Sequence, residues 1–327
     1  MFLLQLVASQ FILKLTLAVL IVVSTLTLIS FFGHHVYLEL ATHFRLQYAL
    51  ASTLCIFVFI VGRSWKLLPV AVCCALLNLA YILPYYLHAP HHEMDSSATH
   101  LRLMQINVLG TNKNYATLIE IVREANPDII VLQELTEDWL KHTQLLDSDY
   151  AYRQAVPKPG GSGMAVLSRH PFEDVETLSL DSSTHVAIRA RVNVAGTPVS
   201  ILSLHPPTPV RTDKFLNRNE QFARAASLLR TTSGKRLLIG DLNTTMWSPY
   251  FTGLLKESGL RDARRGFGLM PSWPVPLPAF LQLPIDHCLV SDDLSVKGIR
   301  PGGRTGSDHR PLIVDLNFET TEFRASR

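Results

Sequence analysis

The 327-residue sequence predicts a mixed α+β domain that follows three membrane-spanning helices. Two observations lead to this division. The first 90 residues carry too few charges to solvate the surface of a globular domain, namely Lys14, Glu39, Arg45, Arg63 and Lys66. Residues 91–327 contain many short runs of strand length, each followed by loop signals, with few long helices between them. This pattern is typical of an α+β or mixed layered fold rather than a simple doubly wound parallel sheet.

The charge balance bears on the choice of binding partner. Of the 30 basic and 27 acidic residues, 26 of each sign fall in residues 91–327, so this part of the chain is formally neutral. A neutral domain has no general attraction for polyanions such as nucleic acid, although a local basic patch can still provide one. Cysteine does not indicate a compartment, because Cys288 is alone in this part and cannot form a disulfide within it.

Three apolar segments in succession are predicted to cross a membrane, over residues 11–32, 46–62 and 67–87. Each is close to the ~20 residues that a helix needs to cross the hydrocarbon core. The alternatives are a signal peptide for the first segment and buried core helices for the other two. The near absence of charge favours three spans, and Tyr81, Tyr85 and Tyr86 suit an interfacial anchor near the end of the third.

The distribution of basic residues predicts the orientation of these spans. The short loop GRSWK, residues 62–66, carries Arg63 and Lys66, whereas the loop between the first two spans carries Arg45 together with Glu39. The positive-inside rule therefore places GRSWK in the cytoplasm. Residues 33–45 and everything after residue 87 then lie on the other side, so the protein is predicted to be multi-pass with a non-cytoplasmic C-terminal domain.

Residues 91–100 are predicted to be a linker, because HAPHHEMDSSATH at 88–100 has no apolar periodicity. The histidines at 88, 91 and 92 can bind a metal ion or serve only as polar linker residues, and the absence of fixed geometry favours the second interpretation. The linker separates the membrane region, residues 1–90, from a domain predicted at residues 101–318. Residues 319–327 form a tail.

The elements of the C-terminal domain follow from hydrophobic periodicity and loop signals. A helix is predicted over residues 115–124, ending before Asn126-Pro127, and a second from about residue 218 to residue 230. Strands are predicted at residues 101–108, 128–135, 163–169, 185–194, 198–205, 237–241, 285–291 and 311–318.

Acids, amides and histidines recur where these strands begin or end, at Asn107, Glu134, His205, Asp241, Asn243, Asp286, Asp308 and His309. A single polar residue at a strand end is usually a capping or loop group. The whole set, without a serine or cysteine nucleophile motif, matches what metal-assisted attack of water on a phosphate ester requires.

The chemistry explains these residue types. A phosphodiester is negatively charged and repels hydroxide, so Mg²⁺ or Mn²⁺ held by oxygen ligands is used to neutralise it, and Glu134 and Asp308 are suitable ligands. Asp241 and His309 are candidates to take the proton from water. Asp286 can hold the other nitrogen of His309, but not that of His287, because adjacent strand residues point to opposite faces.

Six sequence blocks in order carry a family resemblance: QINV, LQEL, LSLHPP, IGDLNTT, PIDHCLVS and GSDHRPL. Over residues 100–318 the chain resembles the endonuclease/exonuclease/phosphatase superfamily, which includes deoxyribonuclease I, exonuclease III-type repair nucleases, sphingomyelinases and inositol polyphosphate 5-phosphatases. With its membrane-anchored N-terminus it is most similar to the bacterial YafD-like subgroup, which implies the bacterial inner membrane.

The resemblance implies a four-layer α/β/β/α sandwich with the site at one end of two packed sheets. It implies that Glu134 binds the metal, with Asn107 and Asp308 beside it. The remaining motifs imply that Asp241 orients or deprotonates the attacking water and that Asn243 positions phosphate or water. They also imply that His309, held by Asp286, contacts the scissile phosphate and that His205 is a further phosphate contact. The family leaves the division of proton transfer between Asp241 and His309 open.

Two further residues have competing interpretations. Trp273, in MPSWPVPLPAF, can stack on a substrate base or rest on lipid, or it can be a packing residue among prolines. Arg310 can meet a phosphate, or it can be an ordinary surface arginine.

The leading hypothesis is a membrane-anchored, Mg²⁺- or Mn²⁺-dependent phosphoesterase, acting on a diester rather than a monoester. Family breadth favours a nuclease, whereas the membrane anchor favours a phospholipid or sphingomyelin-type diester. A catalytically silent membrane scaffold is a hypothesis of another class, but every site position is filled. A transporter is disfavoured because the spans contain no intramembrane acid. No protein partner can be inferred.

Overall fold

The computed structural model describes residues 2–87 and 98–320. The predicted tail therefore falls mostly outside the described residues. So does the predicted linker, although Thr99 and His100 at its end already belong to the first strand.

The membrane region consists of helices α1 (Phe2–Ile29), α2 (Val36–Leu40), α3 (Arg45–Val61) and α4 (Leu68–Ile82). Short 3₁₀ turns follow α1, α2 and α4 at Ser30–Phe32, Ala41–Phe44 and Leu83–Tyr85. Three stretches are long and apolar enough to cross a membrane, namely Gln10–Phe32, Val36–Val61 and Leu68–Tyr85, which indicates membrane association. Their number agrees with the prediction, but the second stretch begins ten residues earlier because α2 and its turn precede α3.

The rest of the described chain forms two six-stranded sheets. The first has the strand order β11-β12-β1-β2-β4-β3 and the second β5-β6-β7-β8-β10-β9. In chain order the strands β1 to β12 are Thr99–Asn107, Ile129–Gln133, Tyr152–Val156, Met164–Ser168, Phe172–Leu178, Ala187–Val194, Thr197–Ser203, Lys235–Asp241, Arg261–Asp262, Asp286–Val290, Ser295–Pro301 and Leu312–Phe318. The pairs β1/β2 and β7/β8 are parallel, and the other described pairs are antiparallel.

Helices cover the outer face of each sheet: α5 (Tyr115–Ala125) and α6 (Glu137–Thr143) on the first, and α7 (Thr212–Thr231) and α8 (Pro249–Ser258) on the second. Strand alternation builds the layers, because successive side chains point to opposite faces. In β8, Leu237 and Ile239 enter the core between the sheets, whereas Leu238 packs in the cluster beneath α7 and α8. The result is the four-layer α/β/β/α sandwich that the resemblance implied.

The membrane helices dock on the second sheet's helix layer. Trp247 Nε1 donates to the carbonyl of Tyr81 at 3.1 Å, and Gly268 N donates to the carbonyl of Tyr85 at 2.7 Å. Glu39 on α2 forms a fully buried ion pair with Arg218 on α7, with 2.5 Å between Oε2 and Nη2. The membrane region and the sandwich are therefore in direct contact along α2 and the end of α4.

Candidate active site

The topology gathers the predicted polar residues at one end of both sheets. Because β1 and β2 are parallel, Asn107 and Glu134 emerge at the same edge. In the other sheet, the register pairs Asp241 at the end of β8 with Asp286 at the start of β10. Eight predicted residues line one cavity of about 380 Å³: Asn107, Glu134, His205, Asp241, Asn243, Trp273, Asp308 and His309.

Asp286 lies behind this cavity and supports His309. Its Oδ2 accepts from His309 Nδ1 at 2.9 Å, and its Oδ1 accepts from Gln105 Nε2 at 2.7 Å. The hydrogen bond to Nδ1 fixes the ring, so Nε2 of His309 faces the cavity. The contact between Asp286 and His309 agrees with the predicted pairing. His287 points to the other face, where its Nε2 contacts the carbonyl of Thr244 at 2.8 Å and its ring packs on Phe251.

Asp241 is buried and is approached by two imidazoles. Its Oδ2 lies 3.4 Å from His205 Nε2 and 3.6 Å from His309 Nε2. Burial alone raises the pKa of Asp241, but the charge of His309 and the hydrogen bond from His205 lower that pKa well below its usual range. Burial likewise lowers the pKa of His309, yet Asp286 and then Asp241 raise it to about 10. The arrangement therefore favours an ionised aspartate beside a protonated histidine.

Asn107 joins the two halves of the site. Its Nδ2 donates to Glu134 Oε1 at 2.9 Å and to Asp241 Oδ2 at 3.2 Å, while its Oδ1 accepts from Leu109 N at 3.1 Å. The predicted role of Asn107 as a metal ligand therefore requires its amide to rotate. Glu134 has a left-handed backbone with φ of 59°, an uncommon conformation for a residue other than glycine that is often found at functional sites.

Trp273 and Asp308 form another part of the wall. Trp273 Nε1 donates to Asp308 Oδ2 at 2.9 Å, and the centroid of its ring lies 6.4 Å from that of His309. Of its two interpretations, this position favours a role in the site. Arg310 is different, because its side chain is not among the cavity-lining residues and its backbone N donates to the carbonyl of Ser272.

Asn243 reaches the cavity through a turn that follows β8. Strand β8 ends at Asp241, and Asn243 has a left-handed backbone with φ of 49°. Its N donates to Asp241 Oδ1 at 2.9 Å, and its side chain contacts the carbonyl of Pro206 and the hydroxyl of Thr208. The turn holds its amide beside the carboxylate of Asp241.

Two sets of residues can be considered as ligands for a metal ion. Asp241, Asp286 and His309 place candidate ligand atoms within 4.8 Å of one another. Asp286, however, is fully buried and does not line the cavity, and its Oδ2 is held by His309. Glu134 and Asp308 fit a hard cation better. Both carboxylates line the cavity, and within residues 2–87 and 98–320 neither forms an ion pair with a basic side chain. The hydrogen bonds that they accept come from neutral groups, including the Asn107 amide and Gly110 N for Glu134 and the Trp273 indole for Asp308. A divalent cation prefers such oxygen ligands.

The supporting glutamines were missed at the sequence level. Gln105 Nε2 also donates to Gln133 Oε1 at 2.8 Å, and Gln133 Oε1 accepts from Asp241 N at 3.0 Å. A signal was present, because Gln105 lies two residues before Asn107 on a strand and must share its face. This buried chain connects Asp286, which holds His309, to the backbone of Asp241.

A second feature was also missed: part of the cavity wall comes from the membrane region. Leu40, His43 and Phe44, from the end of α2 and the turn that follows, line the cavity together with Val210 and Ile285. His43 Nδ1 lies 3.0 Å from the hydroxyl of Thr245. Nothing in the local sequence of residues 33–45 indicates that they approach residues 200 positions away.

The sandwich and the acid–histidine cluster at the end of its sheets define a phosphoesterase-type fold. The sequence profile of the Endonuclease/Exonuclease/phosphatase family matches residues 104–309, and the chain belongs to this family, as the resemblance indicated. Members of the family are generally hydrolases of phosphate esters. The closer resemblance to the YafD-like subgroup stays a prediction.

Solved structures share the fold at low sequence identity. TDP2 from D. rerio, complexed with a single-strand DNA product, has a TM-score of 0.58 and 16% identity, covering 68% of this chain and 100% of that one. Truncated TDP2 from Caenorhabditis elegans has a TM-score of 0.56 and 20% identity, covering 67% and 98%. An endonuclease/exonuclease/phosphatase from Beutenbergia cavernae has a TM-score of 0.54 and 19% identity, covering 67% and 72%. No curated protein matches the chain.

Proposed function

We propose that the protein is a membrane-anchored hydrolase of phosphodiesters that depends on a divalent metal ion. One observation carries this proposal: Glu134 and Asp308 face the cavity without a basic partner in the described part of the chain, beside the hydrogen-bonded group Asp286–His309–Asp241. Two carboxylates without a positively charged partner favour the binding of a cation, and the neighbouring imidazole and carboxylate can accept or donate a proton.

Glu134 and Asp308 would hold the metal, with Asn107 joining them if its amide rotates. Mg²⁺ or Mn²⁺, when bound, neutralises the phosphate and stabilises the leaving oxygen. Asp241 would orient the attacking water and accept its proton. His309, with Nδ1 fixed by Asp286, would direct Nε2 to a phosphate oxygen. Asn243 would position the phosphate or the water, and His205 would be a further phosphate contact.

The enzymatic role can be tested with the full-length protein in detergent, using bis-p-nitrophenyl phosphate and Mg²⁺. Chelation with EDTA should abolish turnover, and Mg²⁺ or Mn²⁺ should restore it. Asp241→Asn should reduce turnover by at least about 100-fold while metal binding, measured by titration calorimetry, stays largely intact. Glu134→Gln should abolish both turnover and metal binding. Asp292→Asn is the matched control, because the Asp292 side chain is 90% exposed and lies outside the cavity.

A wild-type protein that is folded but binds neither metal and hydrolyses no diester would support the alternative of a silent scaffold. Normal turnover in Asp241→Asn would instead refute the assignment of the site.

We also propose that residues 11–32, 46–62 and 67–87 span the bilayer, with the sandwich on the non-cytoplasmic side. The Glu39–Arg218 and His43–Thr245 contacts support one part of this topology, because they require residues 33–45 and the sandwich to share a side. A reporter fused after Arg327 tests the side. Activity of a periplasmic-type reporter is expected, and a reporter active only in the cytoplasm would reverse the assignment.

A further inference from the structure

The wall that the membrane region contributes to the cavity is held firmly in place. Glu39 is 1% exposed; its two oxygens contact Arg218 Nη2 and Ser248 Oγ, each at 2.5 Å. A buried charge pair with an added hydrogen bond has a defined geometry. Leu40 follows Glu39 directly, and Phe44 closes the 3₁₀ turn that leads into α3. Leu40 and Phe44 are therefore fixed components of the cavity.

These two side chains also belong to a second cavity, a groove between α1 and α3. The groove has a volume of about 480 Å³ and a mostly apolar lining of Leu26, Ile29, Tyr37, Leu38, Leu40, Ala41, Phe44, Gln47 and Tyr48. Leu40 and Phe44 line both this groove and the catalytic cavity. The groove thus adjoins the proposed phosphate site and reaches the end of α1 and the start of α3, which belong to stretches apolar enough to cross a bilayer.

A loop of the sandwich contacts the start of α3 beside the groove. Residues Ala279–Leu281 form a 3₁₀ turn, and the carbonyl of Phe280 accepts from Gln47 Nε2, in the first turn of α3, at 3.0 Å. Phe280 and Leu281 are 54% and 41% exposed, and Leu277 nearby is 42% exposed. Exposed apolar side chains beside the start of a span are suited to the interfacial region of a membrane.

We propose that the groove binds an acyl chain of a bilayer phospholipid whose head-group phosphodiester enters the catalytic cavity. The groove lies where α1 ends and α3 begins, which is the level expected for the membrane interface, and it adjoins the site of the proposed hydrolysis, on which this inference rests. Charge supports the choice, since residues 91–327 have no net positive charge to attract a nucleic acid. An acyl chain needs only apolar contact, and Leu40 and Phe44 provide such contact in both cavities.

The reaction is a simple hydrolysis. The oxygen of water forms a bond to phosphorus, one ester P–O bond breaks, and the departing alcohol oxygen takes up a proton. The products are phosphatidic acid with a free head-group alcohol, or diacylglycerol with a phosphorylated head group, depending on which ester bond lies opposite the water.

The test uses the full-length protein in nanodiscs of phosphatidylethanolamine and phosphatidylglycerol with Mg²⁺. Lipid products are measured by mass spectrometry, and bis-p-nitrophenyl phosphate and single-stranded DNA are assayed in parallel. Ile29→Trp fills the groove away from the catalytic cavity, and Leu54→Trp, at a position 63% exposed on α3 and outside the groove, is its control. The ratio of phospholipid turnover to bis-p-nitrophenyl phosphate turnover should fall at least about tenfold in Ile29→Trp, since a few methylene contacts are lost. It should stay unchanged in Leu54→Trp.

A second measurement does not depend on a variant. Phosphatidylglycerol with a photoreactive acyl chain should cross-link to residues 26–48 of the wild-type protein. Hydrolysis of bis-p-nitrophenyl phosphate or DNA without phospholipid hydrolysis would overturn the inference and leave the proposed function standing. An unchanged ratio in a folded Ile29→Trp protein, or cross-links only elsewhere, would also overturn it. Failure to hydrolyse any diester would instead refute the proposed function.

Discussion

Gly240, in the stretch LLIGDLNTT, offers a sharp test of how the two sheets build the site. An ideal Cβ at this position would lie 1.9 Å from the carbonyl oxygen of Leu204 and 2.4 Å from Gln133 Nε2, whereas ordinary van der Waals contact begins at 3.4 Å. The space is taken by the amide of Gln133, which crosses from the other sheet and donates to that carbonyl at 2.8 Å. Gly240→Ala must therefore displace Gln133 or separate β7 from β8.

The expected cost is large. Overpacking a tight interior costs about 1–3 kcal/mol, and each buried hydrogen bond that is lost adds about 1 kcal/mol. Gln133 makes three such bonds, to Leu204, Gln105 and Asp241. The free energy of unfolding should fall by about 3–5 kcal/mol, which lowers the melting temperature by roughly 10 °C. Because Asp241 N is one of the partners, its carboxylate should move and turnover should fall about 100-fold.

Thermal unfolding in detergent and hydrolysis of bis-p-nitrophenyl phosphate measure the two effects. Gly253→Ala is the matched control, because Gly253 lies within α8 with nothing within 4 Å of an added Cβ. That substitution should stabilise the helix by about 0.5–1 kcal/mol and leave turnover unchanged. If Gly240→Ala has the melting temperature of the wild type and keeps full activity, the Gln133 bridge between the sheets does not hold Asp241, and the reasoning is refuted.

Three further outcomes follow from buried groups. Asp286→Asn should keep the fold but lower turnover about 10²–10⁴-fold, measured with bis-p-nitrophenyl phosphate, since Asp286 fixes Nδ1 of His309. Glu39→Gln should destabilise the protein by about 3–5 kcal/mol in thermal unfolding, because it leaves Arg218 buried without its charge partner. Burial and the charge of Arg264 lower the pKa of His287 well below its ordinary value, so the unfolded chain takes up a proton below about pH 6.5 that the folded chain does not. The melting temperature should therefore fall as the pH is lowered from 7 to 5, and it should fall by less in His287→Gln. An equal dependence of the melting temperature on pH in the two proteins would contradict this reasoning.

The sequence allowed the interior of the sandwich to be predicted better than its edges. All eight predicted strands are internal to the two sheets, and each was predicted from an apolar run in the sequence. The four strands that were missed, β3, β5, β9 and β11, are the four outermost strands of the two sheets. Strand β5, FEDVETL, has no fully buried residue. Edge strands carry charged side chains that limit association between edges, and this same composition hides them from a search for apolar runs.

The helices show a similar limit. Helix α5 agrees with its prediction, but α7 begins at Thr212, six residues before the predicted start. Its first turn holds Asp213 and Lys214, which carry no apolar signal. Helices α6 and α8 were missed because each is short and presents only a few apolar residues, such as Trp139 and Phe251, to the sheet.

The site was accessible from the sequence for a specific reason. Its residues sit at strand ends, and the order of strands in a layered fold brings such ends to one edge, so Asn107, Glu134 and Asp241 converge without detailed knowledge of loops. The orientation of the Asn107 amide and the bridge through Gln133 depend on side-chain packing between the sheets. Neither follows from local pattern, because each involves partners separated by more than twenty residues.

The contact between α2 and the sandwich changes how the membrane region should be understood. A tether needs only length and apolar character, and it gains nothing from burying a carboxylate. Glu39 is the only acid in residues 1–87, and its burial against Arg218 has a desolvation cost that a simple anchor would avoid. The pair fixes the position of the neighbouring Leu40 and Phe44, which line both the catalytic cavity and the groove between α1 and α3. The membrane helices are therefore part of the substrate-binding surface that we propose, and separating them from the sandwich should remove one wall of the cavity.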